Sequence, residues 1–268
     1  MAGSACPAFV PQRPFPGMPI ALFWVMNPLV TSSLVAALTM LAMMAAVSPP
    51  SSAAAPDLNL AATSARAQST RIARVLVIGD STGVGRGASA RHSVAGRIAQ
   101  DYPDAQLENR ARDGATLKQT LEQLGAEPVE ERSAVILIMA GGNDTIRFAS
   151  SQTLAGHLDE LLRAAVERAE HVVLLTPGNF ATAPGFWWPF NRILGWRSRV
   201  ATRTFDEVAA RHAPAVMHVS MFLEPQNDPF ARDPQRYFSE DGIHPSDDGY
   251  GLWYASLIER SALARWLR

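Results

Sequence analysis

From Arg74 to the end of the chain, short apolar runs alternate with segments in which apolar residues recur at helical spacing. The run Val75–Ile78 is rich in β-branched residues and Ala134–Met139 is apolar throughout, as expected for strands buried on both faces of a parallel sheet. This alternation predicts an α/β fold with a central parallel sheet and helices on both faces. The predicted strands are Val75–Ile78, Gln106–Asn109, Ala134–Met139, Val172–Leu175 and Val216–Val219.

Helix boundaries follow from periodicity and capping residues. The last helix is predicted to begin after Pro245, with Ser246 as its N-cap and with Asp247 and Asp248 near the positive end of its dipole. The other predicted helices cover about Ser93–Gln100, Leu117–Leu124, Leu154–Ala165 and Val200–His212.

The first 70 residues differ in composition from the rest. Residues 14–56 carry no charge, and Leu34–Val47 has the length of a signal-peptide core, typically about 7–15 residues. Ser52-Ala53-Ala54 suits a cleavage site, and an Ala/Ser/Thr-rich linker follows. We therefore expect residues 1–70 to be a signal peptide with a linker and residues 71–268 to be a periplasmic or secreted folded domain. The alternative is a membrane anchor formed by residues 29–47.

Composition excludes several classes of function. The formal net charge of the 268 residues is −1, which argues against nucleic-acid binding, because that binding depends on Lys and Arg neutralising phosphates. Cys6 is the only cysteine, so no intrachain disulfide can form. No Cys/His cluster has zinc spacing, and we expect neither a metal nor a cofactor. The oligomeric state stays open.

Ser81 is the first candidate for chemistry, because Gly79-Asp80-Ser81 directly follows the strand Val75–Ile78. A serine at a strand end exposes its hydroxyl beside backbone N–H groups, although it could instead only cap a helix. The nearby stretch Gly85–Ala90 also fits the dinucleotide-binding pattern Gly-x-Gly-x-x-Gly/Ala, but its glycines lie several residues past the strand. Nucleotide binding is therefore the weaker interpretation.

Asp241 and His244 are the candidate partners of this serine. A serine hydroxyl needs a base to become nucleophilic, and imidazole titrates near neutral pH. A carboxylate must then fix the tautomer of the base, which Asp241 can do from the same turn. Alternatively, the turn and its histidine only cap the following helix. No comparable sequence setting surrounds the other histidines, His92, His157, His171, His212 and His218.

An acyl-transfer site also needs hydrogen-bond donors for the developing oxyanion. Three are available near predicted strand ends: the Ser81 N–H, the backbone of Gly114 and the side-chain amide of Asn143. Glycine at position 114 would let the backbone approach a ligand closely.

Four blocks in this order resemble the SGNH/GDSL hydrolases. They are Gly79-Asp80-Ser81, Asn109 to Gly114, Gly142-Asn143-Asp144 and Asp241-x-x-His244-Pro245. The resemblance covers about residues 72–268. It implies a flavodoxin-like three-layer α/β/α sandwich and a serine esterase or lipase without a cofactor.

The resemblance also implies roles for single residues. It makes Ser81 the nucleophile, His244 the base, Asp241 the orienting acid, and Ser81, Gly114 and Asn143 the oxyanion hole. Asp80 and Asp144 would then brace loops. The chain departs from the family pattern at Thr82, where leucine is usual, and at Ala111, where glycine is common.

The substrate depends on an aromatic segment, Gly178–Arg199, whose candidate binding residues are Phe180, Trp187, Trp188 and Phe190. They could receive a lipid acyl chain or touch a membrane, which would suit a lipase, lysophospholipase or thioesterase. They could instead stack on sugars, as in a carbohydrate O-acetylesterase, or only pack beneath a loop. A second loop, Met221–Phe238, could shape the pocket. A non-catalytic binding module of the same fold is the remaining alternative.

Overall fold

The computed structural model describes residues 72–125 and 132–268. The predicted signal peptide or anchor in residues 1–70 lies outside the described residues. The strands are β1 (Arg74–Gly79), β2 (Gln106–Asn109), β3 (Ser133–Met139), β4 (Ala169–Thr176) and β5 (Val216–Ser220). The helices are α1 (Ser81–Val84), α2 (Val94–Asp101), α3 (Leu117–Glu122), α4 (Gly142–Ile146), α5 (Ser151–Arg168), α6 (Phe190–Arg211), α7 (Pro229–Arg232), α8 (Pro234–Tyr237), α9 (Asp247–Arg260) and α10 (Leu263–Trp266).

The strands form one parallel sheet in the order β2-β1-β3-β4-β5. Parallel neighbours need a crossover, so helical segments return the chain to the starting edge of the sheet after each strand. The order reverses between β1 and β3, and open α/β sheets bind ligands at such a switch point. The predicted flavodoxin-like parallel sheet is therefore confirmed.

Two cores lie on opposite faces of this sheet, as the alternation of strand side chains requires. In β1, Val75 and Val77 pack in the core that includes α2 and α9, whereas Leu76 and Ile78 pack in the core that includes α3, α5 and α6. All four side chains are buried. The predicted three-layer α/β/α sandwich follows from this arrangement.

Helix α6 is longer than its sequence pattern predicts. It was expected at about Val200–His212, but it begins at Phe190. The first half of α6 shows no regular spacing of apolar residues in the sequence, because its buried face includes the small residue Gly195 and the polar residue Ser198. The Ser198 hydroxyl donates to the Leu194 carbonyl and accepts the Phe180 N–H. Half of the aromatic segment Gly178–Arg199 is therefore helical.

Helix α9 follows its prediction closely. The Ser246 hydroxyl accepts the Gly249 N–H at 3.2 Å, which makes Ser246 the N-cap, and Asp247 and Asp248 lie in the first turn. Its buried residues pack on the sheet and hold the preceding turn against the carboxyl ends of the strands. Among the described helices, none combines the length and apolar character needed to cross a membrane.

Candidate active site

Ser81 lies at the carboxyl end of β1, where the backbone turns sharply into α1. Gly79 has a φ of +146°, and a Cβ at this position would lie 1.9 Å from the Met139 carbonyl oxygen, so only glycine fits. The Asp80 N–H then donates to the same oxygen at 2.9 Å. The Asp80 carboxylate caps α1 by accepting the Thr82 N–H at 2.9 Å. These contacts fix Ser81 as the first residue of α1.

His244 and Asp241 lie in line with Ser81, although 163 residues separate the serine from the histidine. The Ser81 Oγ is 2.8 Å from the His244 Nε2, and the His244 Nδ1 is 2.6 Å from the Asp241 Oδ2. The ring can therefore hold one proton toward the carboxylate and accept another from the hydroxyl. This is the geometry that a nucleophile, a base and an orienting acid require.

Asp241 is held by a network of donors. Its Oδ1 accepts the Ser239 hydroxyl at 2.8 Å, the Ile243 N–H at 2.8 Å and the His244 N–H at 2.9 Å. Burial alone would raise the pKa of the Asp241 carboxyl, but the hydrogen bonds from His244, Ile243 and Ser239 together lower that pKa well below its ordinary value. Asp241 therefore stays ionised at any pH at which a histidine titrates.

The predicted oxyanion donors border the same cavity as Ser81. Gly114 has a φ of +73°, a conformation that favours glycine, and its carbonyl accepts the Arg147 guanidinium at 3.2 Å. The Asn143 Nδ2 donates to the Ala115 carbonyl at 3.2 Å, which orients the amide and uses one of its two protons. The second proton is available to a ligand. Asn143, Gly114 and Ser81 thus line one cavity.

Two buried acids brace these loops, as the sequence predicts. Asp80 binds Thr82, and the Asp144 Oδ2 accepts the Leu117 N–H at 2.9 Å. Desolvation raises the pKa of Asp80 to about 6, against the lowering effect of the Thr82 hydrogen bonds. Desolvation likewise raises the pKa of Asp144. Among the described acids, Asp241 is the one that hydrogen-bonds to the His244 ring, so Asp241 orients the serine's base.

The cavity in front of Ser81 has a volume of about 390 Å³ and a largely apolar wall. The loop Met221–Phe238 shapes this pocket, as the sequence predicts, because four of its residues line the cavity: Met221, Asp228, Phe230 and Phe238. The sequence did not single out most of the wall, because apolar lining residues have the same pattern as core residues. The large side chains of the wall include Ile146, Phe180, Phe186, Phe230, Phe238 and Trp253.

Only one of the four predicted substrate-binding residues lines the cavity in front of Ser81. Phe180 lies in the cavity wall, whereas Trp187, Trp188 and Phe190 do not. The two tryptophans are 74% and 72% exposed, and the Phe190 ring lies 6.3 Å from that of Phe186. Their part in substrate binding stays a prediction.

Three of the other histidines also pair with an acid, although the sequence around them does not indicate it. The acids lie too far away in sequence to be recognised. The pairs are His92 with Asp247, His212 with Asp159, and His218 with Asp206.

Two of these pairs also include a hydroxyl, but neither is a second active site. The His92 Nδ1 contacts both Ser89 and Asp247, so one nitrogen would have to donate to the acid and accept from the serine at once. His218 joins Asp206 to Thr176 through its two nitrogens, but Thr176 is buried and lies outside the cavity wall.

In residues 72–125 and 132–268, no group of three or more His, Cys, Asp or Glu side chains is arranged to hold a metal ion. Ser81 and His244 line the cavity, and Asp241 contacts the His244 ring from behind it. Their arrangement suits nucleophilic attack on a carbonyl and stabilisation of the resulting oxyanion.

Comparison with known proteins agrees with this chemistry. The sequence model of the GDSL-like Lipase/Acylhydrolase family matches residues 77–252. The chain is 28% identical to Esterase TesA of Pseudomonas aeruginosa over 179 residues, which cover 64% of this chain and 79% of that protein.

Two solved structures show the same fold. A lipolytic protein of the G-D-S-L family from Veillonella parvula has a TM-score of 0.55 at 17% identity, covering 69% of this chain and 96% of that one. A two-domain esterase active on acetylated mannans has a TM-score of 0.53 at 17% identity, covering 78% and 54%. The family match covers well over half of the chain. The chain therefore belongs to the GDSL-like lipase/acylhydrolase family, and it is a hydrolase of carboxylic esters.

Proposed function

We propose that the chain is a serine esterase that forms an acyl-enzyme on Ser81. The observation that carries this proposal is the continuous path from the Ser81 Oγ through the His244 ring to the Asp241 carboxylate. It opens on the cavity that Gly114 and Asn143 also line. A helix cap would need none of these contacts.

The geometry gives each group a step. The Ser81 Oγ attacks the ester carbonyl while its proton moves to the His244 Nε2, and the Asp241 carboxylate stabilises the imidazolium. The backbone N–H groups of Ser81 and Gly114 and the Asn143 amide donate to the oxyanion. The Nε2 proton then passes to the leaving alcohol. In the second half of the reaction, water takes the place of the alcohol: it gives a proton to the His244 Nε2 as it attacks the acyl-enzyme, and that proton returns to the Ser81 Oγ when the acid is released.

Kinetics of two serine variants test the assignment. Hydrolysis of p-nitrophenyl butyrate should fall by about 10⁴-fold or more in Ser81→Ala, because only binding and oxyanion stabilisation remain. Ser89→Ala is the matched control, since Ser89 also contacts a histidine and an acid but lies outside the cavity wall. A loss of activity in Ser89→Ala, with Ser81→Ala still active, would overturn the assignment.

We propose that the acyl group is longer than acetyl, as in a lipase, lysophospholipase or thioesterase. A volume of about 390 Å³ falls within the range of about 300–1,000 Å³ for pockets that enclose drug-sized ligands. Phe180, Phe186 and Phe230 give the cavity an apolar wall, and each buried methylene contributes about 0.8 kcal/mol. The proposal therefore favours acyl chains of several carbons.

A carbohydrate O-acetylesterase is the second candidate, since exposed tryptophans such as Trp187 and Trp188 can stack on sugars. A p-nitrophenyl ester series separates the two. The first candidate predicts that kcat/KM rises from acetate to octanoate. Activity confined to acetate, together with release of acetate from acetylated xylan or mannan, would support the second candidate and contradict the first.

We also propose that the catalytic domain acts outside the cytoplasm. The support is the uncharged sequence of residues 14–56 and its apolar run Leu34–Val47. N-terminal sequencing of the protein purified from its native host tests this. A mature terminus within about residues 50–60 is expected, whereas an intact apolar segment in the membrane fraction would favour the anchor.

A further inference from the structure

A group of large apolar side chains is exposed around the start of α6. Trp187 and Trp188 are 74% and 72% exposed, Trp196 is 58% exposed, and Ile193 and Phe148 are each 45% exposed. Soluble proteins rarely expose so many large apolar side chains together unless the surface binds something. We call these five residues the aromatic patch.

The aromatic patch is continuous with the wall of the active-site cavity. The Phe148 ring lies 6.0 Å from Phe190, Phe190 lies 6.3 Å from Phe186, and Phe186 lies 6.0 Å from Phe180. Phe180 and Phe186 both line the cavity in front of Ser81. Four neighbouring aromatic rings therefore connect the exposed surface to the wall of the cavity in front of Ser81.

The charges of the surrounding segment are all of one sign. Residues 178–205 contain four arginines and no Asp or Glu. Arg199 is paired with Glu224 and Arg197 is buried, so Arg192 and Arg203 are the exposed cations of this segment. The Arg197 guanidinium lies 5.6 Å from the Phe148 ring centroid and 6.0 Å from that of Trp196. Arg192 is exposed on the first turn of α6. Such a combination of tryptophan and arginine attracts an anionic, amphipathic surface.

The backbone of Phe148 gives a second, independent indication. This residue follows α4 with a φ of +60°, a conformation that costs a residue with a side chain about 1–2 kcal/mol. Helices usually place glycine at such a position. Here the conformation holds an exposed aromatic ring against Phe190 and Arg197. Strain of this kind is concentrated at functional sites.

We propose that the aromatic patch docks on anionic phospholipid surfaces and admits acyl chains from them to the cavity. A sugar ligand fits less well, because carboxylates that commonly bind sugar hydroxyls are missing from residues 178–205. The delivery of acyl chains rests on the proposed esterase function. Docking itself does not need the Ser81 nucleophile.

A local fluorescent probe tests docking in the full chain. Cys6→Ser removes the only cysteine, and Trp188→Cys then carries an NBD label. Ala210→Cys is the matched control, since it is exposed on the same helix about 20 Å from Trp196, the nearest patch residue on α6, at 1.5 Å per residue. Both are made with Ser81→Ala, so that no lipid is hydrolysed. The vesicles contain phosphatidylcholine alone or with one third phosphatidylglycerol.

The proposal predicts a blue shift and a rise in NBD emission at position 188 but not at 210, stronger with phosphatidylglycerol. Arg192→Gln should weaken this response about fivefold, the effect of one basic residue near an anionic surface. Phe148→Gly, which suits the backbone and removes the ring, should weaken it without lowering the thermal midpoint.

Three outcomes would overturn the proposal. Vesicle binding with no response at 188 would place the contact elsewhere, including in residues 1–71. Equal responses at 188 and 210 would mean non-specific adsorption. A response that depends on protein concentration without vesicles would identify a second copy as the occupant. Hydrolysis of a soluble ester by the parent chain separates any of these from a failure of the esterase function.

Discussion

Asp241 holds both the backbone and the ring of His244: its Oδ1 accepts the His244 N–H at 2.9 Å, and its Oδ2 lies 2.6 Å from the His244 Nδ1. The acid thus sets the position of the histidine and the tautomer of the ring at the same time. Both contacts can form because residues 241 and 244 lie at the two ends of one four-residue turn.

Asp241→Asn should preserve the turn but disturb the ring, because the amide oxygen still accepts one set of hydrogen bonds while the charge is lost. We expect kcat to fall by about 10³–10⁴-fold, as in other serine triads that lose this charge. Steady-state hydrolysis of a soluble ester measures it. Asp247→Asn, which alters the acid paired with His92, should change kcat by less than threefold. Similar losses in both variants would indicate a structural effect.

Asn143→Ala should lower kcat by about 10²–10³-fold with a smaller change in KM, because an oxyanion donor acts mainly in the transition state. Circular dichroism and the thermal midpoint should stay close to those of the parent chain, since within the described residues the Asn143 side chain makes a single hydrogen bond, to the Ala115 carbonyl. A rise in KM with unchanged kcat would assign Asn143 to substrate binding instead.

In Asp80→Asn, which lacks the acid whose pKa is about 6, the pH profile of activity should show one ionisation on its acid side. Activity should rise with pH, because the base that accepts the Ser81 proton has to be neutral. The hydrogen bonds that lower the pKa of Asp241 keep this acid charged throughout that range, so it adds no second step. A slope of two for log kcat/KM on the acid side, with chemistry rate-limiting, would contradict this assignment.

Asp80 should make stability depend on pH. Its pKa is about 6 in the folded protein and near 3.8 when unfolded, so the folded state binds the extra proton between these values. The free energy of unfolding therefore falls as pH rises from about 4 to 6. The total loss from this group is about 3 kcal/mol, because one pKa unit corresponds to about 1.4 kcal/mol.

Asp80→Asn removes this ionisation and keeps an oxygen that can cap α1. Relative to the parent chain, the variant should become progressively more stable between pH 4 and 7, as measured by urea unfolding. A difference that is constant across this range would contradict the raised pKa of Asp80.

Much of the fold could be predicted from local pattern. The strand Gln106–Asn109 and the N-cap at Ser246 are found where the sequence places them. The start of α6 could not be predicted, because Gly195 and Ser198 face the core without an apolar signal. Local helix propensity does not predict this start, because contacts with the preceding segment, such as that of Ser198 with Phe180, stabilise the first half of the helix.

The candidate site was predictable to the extent that its residues lie at strand ends or within one turn. Ser81, Asn143 and His244 have such positions. The apolar wall was not predictable, because Phe230 and Trp253 resemble core residues in sequence. The pair His218–Asp206 was missed for a different reason, since it joins a strand to a separate helix.

Mapping a fluorophosphonate adduct by peptide mass spectrometry tests the central claim most directly, because the reagent is attacked only by an activated serine. The account predicts a single adduct on Ser81 that is absent from His244→Ala, in which the base is missing. Modification of Ser89 in place of Ser81, or equal labelling of Ser81→Ala, would contradict it.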